Sequence, residues 1–370
     1  MSGPRGSVRL RRGTVVAVRG ERPGALELEV DVEGERASAI AYPALTGSVV
    51  GGDRVLLNTT AISLGLGTGG VHIVVAVEGG AAVELTRGGR VMKARYTPLQ
   101  IVVETVEETH REALESSGGL RGTPVVCAPL HSMVASVAAG AKAAGAGRVA
   151  YVMTDGAALP GALSRLVPRL RDAGLLDGWV TCGQSFGGEL EAVTIWSALL
   201  AAVEVLRAEV VVVADGPGNL GTDTTWGVSA LASGHALNAT EALGGRPVAA
   251  LRVSFADPRE RHRGHSQHSL TILDRVCTAS VHVAVPMLEN EAERTAVWDA
   301  LRGRGLEERH RLVEADGRPA LDELVRRGVE VESMGRTPTD DPAIFLTAGA
   351  AGVLAARMAS GSRAWRRDHG

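Results

Sequence analysis

From residue 123 onward, short uninterrupted apolar runs alternate with longer segments of helical periodicity, and the apolar runs end in Gly, Asp, Ser, Thr and His. This is the pattern of βαβ units, in which strands covered on both faces build a mostly parallel sheet. The runs predict strands at 124–127, 148–153, 179–182, 209–214, 248–255 and 280–285. Helical patterns fill the gaps, the clearest at 190–206, with further helices at 290–304, 319–327 and 342–358. The expected fold class is α/β with a doubly wound, mostly parallel sheet. Ligands of such sheets bind beyond the carboxyl ends of the strands, where the polar clusters gather.

Residues 8–80 follow another rhythm. Short strands at 13–18, 26–32, 39–42, 54–57 and 72–77 succeed one another closely, and 26–32 alternates strictly, as a strand with one wet face does. A small N-terminal β-barrel or sandwich domain fits this spacing. The segment Leu64-Gly-Leu-Gly-Thr-Gly-Gly70 reads as a flexible turn or as a glycine loop able to approach a ligand. Thr97-Pro-Leu-Gln100 combines an N-cap threonine, a proline at the first helical position and a glutamine three residues after the cap. It predicts a helix over 98–115, ended by Ser116-Ser-Gly-Gly119. The expected domains are a β domain at 1–97, a connecting helix and linker at 98–120, and an α/β domain at 121–370.

Composition narrows the classes. A chain of 370 residues with net charge −3 gives no sign of a nucleic-acid partner, and aromatics at 3% leave few platforms on which bases could stack. No uninterrupted apolar run approaches the roughly 18 residues of a membrane span and the N-terminus has no apolar signal core, so a cytoplasmic protein without a membrane partner is expected. Cys127, Cys182 and Cys277 lie in or beside apolar segments without a C-x-x-C partner, which predicts reduced core residues. Arginine outnumbers lysine 37 to 2, which draws attention to Lys93 and Lys142. Lys142 is expected to be solvated. Lys93 offers a compact charge suited to a phosphate or carboxylate.

Three motifs carry candidate chemistry. Gly183-Gln-Ser-Phe-Gly187 matches the nucleophile elbow, between a strand and a predicted helix, and Ser185 with Asp215 and His265 or His268 gives the chain order of an α/β-hydrolase triad. The same pentapeptide also reads as a plain strand-to-helix turn capped by Ser185. Glu189 and Glu191 would open that helix and favour its dipole. Gly216-Pro-Gly-Asn-Leu-Gly221 matches G-x-G-x-x-G after a strong strand, so amides at Gly216, Gly218, Asn219 and Gly221 and the hydroxyl of Thr222 could cradle an anion. Asp223, Thr224 and Thr225 extend it. The next strand-end acid, Asp257, lies too far along for a dinucleotide fingerprint.

The densest polar cluster is Asp257-Pro-Arg-Glu-Arg-His-Arg-Gly-His-Ser-Gln-His268. Its histidines could face a metal together with Asp155 and Asp215. Arginines such as Arg259, Arg261 and Arg263 would oppose a cation, so an anion is the better match and no metal ligands are assigned. His131, just after the first strand of the sheet, is a further candidate at the same edge.

Met92-Lys-Ala-Arg-Tyr-Thr-Pro-Leu-Gln100, Gly183-Gln-Ser-Phe-Gly-Gly-Glu-Leu-Glu-Ala-Val193, Asp215-Gly-Pro-Gly-Asn-Leu-Gly-Thr222 and Arg261-His-Arg-Gly-His-Ser-Gln-His-Ser269 together resemble a family of uncharacterised bacterial proteins. That family occurs mainly in actinobacteria and clostridia and is catalogued as a domain of unknown function. The resemblance covers nearly the whole chain and implies no activity, cofactor or catalytic residue. Three readings stay open: an enzyme or enzyme-derived binder of a small anionic ligand, phosphorylated ones included; a serine hydrolase; and a non-catalytic assembly or regulatory protein, with a homo-oligomer compatible with each.

Overall fold

The structure, a computed structural model, describes residues 7–65, 70–81, 83–84, 88–222 and 224–369, with side chains to residue 361. The chain divides into two units, one of Met1–Gly88 with Ala94–Val102 and one of Gly89–Lys93 with Val103–Gly370.

In the first unit, β1 (Leu10–Arg22), β2 (Ala25–Val32), β3 (Glu35–Ala41), β4 (Arg54–Asn58) and β5 (His72–Val77) close in the order β1-β2-β3-β5-β4. All pairs are antiparallel except β3 with β5. The barrel alternative to a sandwich is therefore the one realised, with the strand order of an OB-type barrel. β1 serves two neighbours because bulges bend it. At the bend, a Cβ on Gly13 would stand 2.7 Å from the Asp31 carbonyl oxygen. Val15, Leu28, Val30, Val55, Leu57 and Val74 fill the interior. The outer face of β2 carries Glu27, Glu29 and Asp31, of which Glu27 and Glu29 pair with Arg22 and Arg19. The predicted glycine loop lies outside the described residues at 66–69.

The second unit holds an eight-stranded sheet: β6 (Pro124–Cys127), β7 (Val149–Thr154), β8 (Gly178–Cys182), β9 (Leu190–Ala192), β10 (Val210–Asp215), β11 (Arg246–Ala250), β12 (His282–Pro286) and β13 (Arg311–Ala315). They lie in the order β9-β8-β7-β10-β6-β11-β12-β13, and every pair is parallel. β6, β7 and β10 are buried at every position, as their unbroken apolar sequences require of central strands. One face is covered by α1 (Met133–Ala143), α2 (Leu166–Asp172), α6 (Arg318–Arg326) and α7 (Pro342–His369). The other is covered by α3 (Ile195–Glu204), α4 (Ala232–Ala242) and α5 (Glu291–Arg302). Residues 342–361 of α7 are long and apolar enough to cross a membrane, yet 78% of that stretch is buried inside the protein.

The chain leaves β6 for α1 on one face and leaves the adjacent β10 for α4 on the other. Between these strands the connections diverge, the position at which open α/β sheets bind their ligands.

Three sequence expectations are corrected and one strand is new. The helix over 98–115 does not start at Thr97: Ile101–Val103 is a strand, and helices occupy Val106–Thr109 and Arg111–Glu115. The β-branched run at 101–103 outweighs the cap signals, and Thr105 with Glu108 forms the capping box actually used. The helix over 190–206 shortens to α3 because Leu190–Ala192 joins the sheet edge and Thr194 with Ser197 caps the helix. The strand over 248–255 breaks after Ala250, and Val253–Ser254 pairs instead with Gly264–His265 in a small hairpin. β13 was not anticipated; its exposed edge position leaves it without a continuous apolar run.

Candidate functional site

β10 ends in Asp215, whose carboxylate is 4% exposed and accepts hydrogen bonds from Thr154 Oγ1 (2.6 Å), the Gly156 amide (3.1 Å) and Asn219 Nδ2 (3.0 Å). Burial raises its pKa, and these bonds oppose the rise. Asp215 thus ties the end of β7 to the loop that follows β10. Gly216 is needed there, since a Cβ would meet Met153 Cε at 2.5 Å and the Ala158 carbonyl oxygen at 2.8 Å. Asn219 also donates to Ser229 Oγ (3.2 Å), which accepts from the Leu220 amide (3.1 Å). Gly218 takes φ +88°, and Gly221 bridges Val228, so the loop returns on itself before α4. Thr222 donates to the Gly227 carbonyl oxygen (3.0 Å), and Thr224 and Thr225 are exposed. Asp223 lies outside the described residues.

The hairpin that continues β11 carries the second cluster. Arg252 is 6% exposed and donates to Asp257 Oδ2 (2.9 Å), while Arg259 engages Asp257 through Nε to Oδ1 and Nη2 to Oδ2, both at 2.9 Å. Arg336 reaches Asp257 at 3.5 Å and Asp341 at 3.1 Å, and Ser254 donates to Asp341 (2.5 Å). Burial alone would raise the Asp257 pKa, but the bonds from Arg259 and the charge of Arg252 hold it well below the usual carboxylate range. Burial brings Arg252 down to about 10, so it stays charged near neutrality. Among the described residues, Arg252 Nε has no hydrogen-bond partner, and neither does His265 Nε2.

The histidines of this hairpin are kept neutral. His262, hydrogen-bonded through Nδ1 to Ser266 Oγ (3.0 Å), is lowered to about 3 by burial and by Arg252 and Arg259. His268, 4.9 Å from His262 between ring centroids, is lowered by burial and by Arg252, Arg261 and Arg259. Burial lowers His265 to about 4. The short helix bearing His268 runs into a π-helical turn at Ile272–Val276, a rare conformation that recurs at functional sites.

The two clusters meet at one point. A Cβ built on Gly221 would stand 3.8 Å from His268 Cε1. Gly216, Gly218, Asn219, Gly221 and Thr222 therefore belong to a loop that reaches the hairpin of His265 and His268. Arg261 is half-buried and its charge acts on His268, whereas Arg263 is exposed.

Ser185 does not join them. It is fully buried, and its hydroxyl donates to the carbonyl oxygens of Cys182 (2.8 Å) and Met153 (3.1 Å). The strand order separates β8 from β11 by four steps of ~4.8 Å, or ~19 Å, too far for a hydrogen bond to His265 or His268. The elbow also lacks its helix, because β9 follows it. Glu191 accordingly is not a helix-opening acid. It accepts from the Gly187 amide (2.6 Å), Thr181 Oγ1 (2.7 Å) and Lys93 Nζ (2.6 Å). Lys93 Nζ donates further to the carbonyl oxygens of Ser185 (2.7 Å) and Thr181 (3.2 Å), so its carboxylate partner is internal. Lys142, expected in solvent, is 10% exposed at its side chain and pairs with Asp177 at 2.7 Å.

His131 sits after β6 in a closed relay. Ser164 Oγ accepts the amides of Leu166 (3.2 Å) and Val167 (3.1 Å), which leaves its proton for His131 Nε2 at 2.8 Å. Nδ1 then carries the ring proton toward Tyr151 Oη (3.2 Å) and the Asp215 carbonyl oxygen (3.3 Å), and Tyr151 donates to the latter at 3.0 Å. Burial lowers His131 to about 4. The relay fixes the end of β10 from within.

Sequence reasoning missed Arg252, Arg336 and Asp341. Arg252 left a signal, as a lone arginine interrupting the apolar segment 248–255. All three cysteines are free and buried. Among the described residues, no three His, Cys, Asp or Glu side chains form a group suited to a metal ion.

Fold and site define an α/β protein with an N-terminal five-stranded barrel and, at the carboxyl edge of its parallel sheet, a glycine loop facing an arginine–histidine hairpin. The chain belongs to the family described as protein of unknown function (DUF3866), whose model matches residues 38–352. A search of curated proteins found no match.

Proposed function

We propose that the α/β unit is an enzyme, or an enzyme-derived binding protein, for a small anionic ligand, phosphorylated ones included, held at the carboxyl edge between the Gly216–Thr222 loop and the 252–268 hairpin. The observation that carries this reading is the approach of Gly221 to His268 beside a buried Arg252 that keeps an unpartnered Nε. A buried charged donor left without a partner is costly, and an oxyanion supplies the missing acceptor. The hairpin's cations then stand beside the glycine loop where Gly221 approaches His268, a setting that favours an oxyanion. Asp215 serves as anchor of the loop in this reading.

Calorimetric titration with inorganic phosphate tests it. The Cβ of a residue at 221 has room, but a branched side chain there would fill the space beside His268. Wild-type protein is expected to bind phosphate, and Gly221→Val to lose at least tenfold in affinity with an unchanged melting temperature. Equal affinity in the two proteins would contradict the site.

A further inference from the structure

Among the described residues, the charges that act on His268 are all positive, those of Arg252, Arg261 and Arg259, and its ring packs 4.9 Å from that of His262. Of the hairpin's two carboxylates, Asp257 is already engaged by Arg252, Arg259 and Arg336, and Glu260 is exposed to solvent. From the elements packed on the hairpin, Asp341 accepts from Ser254 and Arg336, and the charge felt by Glu293 of α5 is that of Asp341. The loop from Gly221 to Val228 contributes backbone and hydroxyls among its described residues. Among the described residues, an imidazolium at 268 therefore meets cations until an anion arrives.

We propose that this site takes a doubly charged oxyanion of the phosphate-monoester class together with one proton, which His268 holds. The proposal rests on the anion-binding reading of the same site. A singly charged carboxylate is matched by the arginines without a change of protonation. A tetrahedral dianion brings a second charge and further acceptor oxygens, enough to bond Arg252 and an imidazolium at once. The proton comes from solvent and no covalent bond changes. Because coupling is reciprocal, an anion that favours the imidazolium binds tighter wherever the imidazole is already protonated.

Sulfate tests this, since it stays a dianion throughout the range in which histidine titrates. At constant ionic strength, calorimetry at pH 6, 7 and 8 is expected to show affinity falling as pH rises, by up to about tenfold per pH unit. At pH 7.5, titrations in buffers of different ionisation enthalpy should show uptake of one proton. In His268→Gln the affinity should be weaker and flat with pH. A flat profile and no proton uptake in the wild type would overturn the coupling while leaving the site intact; a slope retained in His268→Gln would overturn the assignment to His268. Failure of both sulfate and phosphate to bind at any pH would overturn the site itself.

Discussion

Lys93 shows how one side chain can be read correctly in its chemistry and wrongly in its partner. Three acceptors converge on its ammonium, the carbonyl oxygens of Thr181 and Ser185 and the carboxylate of Glu191, and three N–H donors on a compact head meet them. A planar guanidinium has no such geometry, which explains a lysine in so arginine-rich a chain. The partner was illegible because it lies 98 residues away. His131 makes a testable statement at the same scale. Its buried ring stays neutral down to about pH 4, whereas in the unfolded chain it binds a proton near pH 6.5. Its contribution is thus complete above pH 6.5 and is lost as pH falls toward 4, by about 1.4 kcal/mol per pH unit in between. Urea unfolding at pH 6.5, 5.5 and 4.5 should show stability falling on acidification, with a slope about one proton shallower in His131→Gln. An unchanged slope would mean that His131 does not remain neutral in the folded state.

At the scale of elements, the strands were legible wherever burial on both faces enforced an unbroken apolar run, as in β6 and β10. Short edge pieces escaped. Leu190–Ala192 merges in sequence with the apolar stretch of α3, and only the Thr194–Ser197 capping box marks the true helix start. Ile101–Val103 was hidden beneath cap signals that a β-branched run overrode. Helix packing leaves a sharper mark: a Cβ on Gly352 of α7 would come 2.0 Å from the Val137 carbonyl oxygen of α1, while Gly361, lower on the same helix, has nothing within 4 Å. Gly352→Ala should therefore force the helices apart and cost about 2–3 kcal/mol. Gly361→Ala should be neutral or stabilise by up to about 1 kcal/mol through helix propensity. Denaturation of the two variants side by side checks the pair, and equal effects would contradict this packing.

At the scale of the molecule, strand order decided which candidates could act together. Sequence gives the strands in chain order, but the sheet places β6 between β10 and β11 and sends β8 to the far side of β7. That order brings the Gly221 loop to His268 and keeps Ser185 away from both histidines. The barrel unit adds an OB-type strand order with three acids along the outside of β2, and its fold alone assigns it no task. The proposed site is an oxyanion site where the β10 loop meets the β11 hairpin. Crystals soaked in selenate test it most directly, through the anomalous signal of selenium. A peak is expected within hydrogen-bonding reach of Arg252 and His268, beside Gly221; a peak confined to other arginines, with that position vacant, would rule the site out.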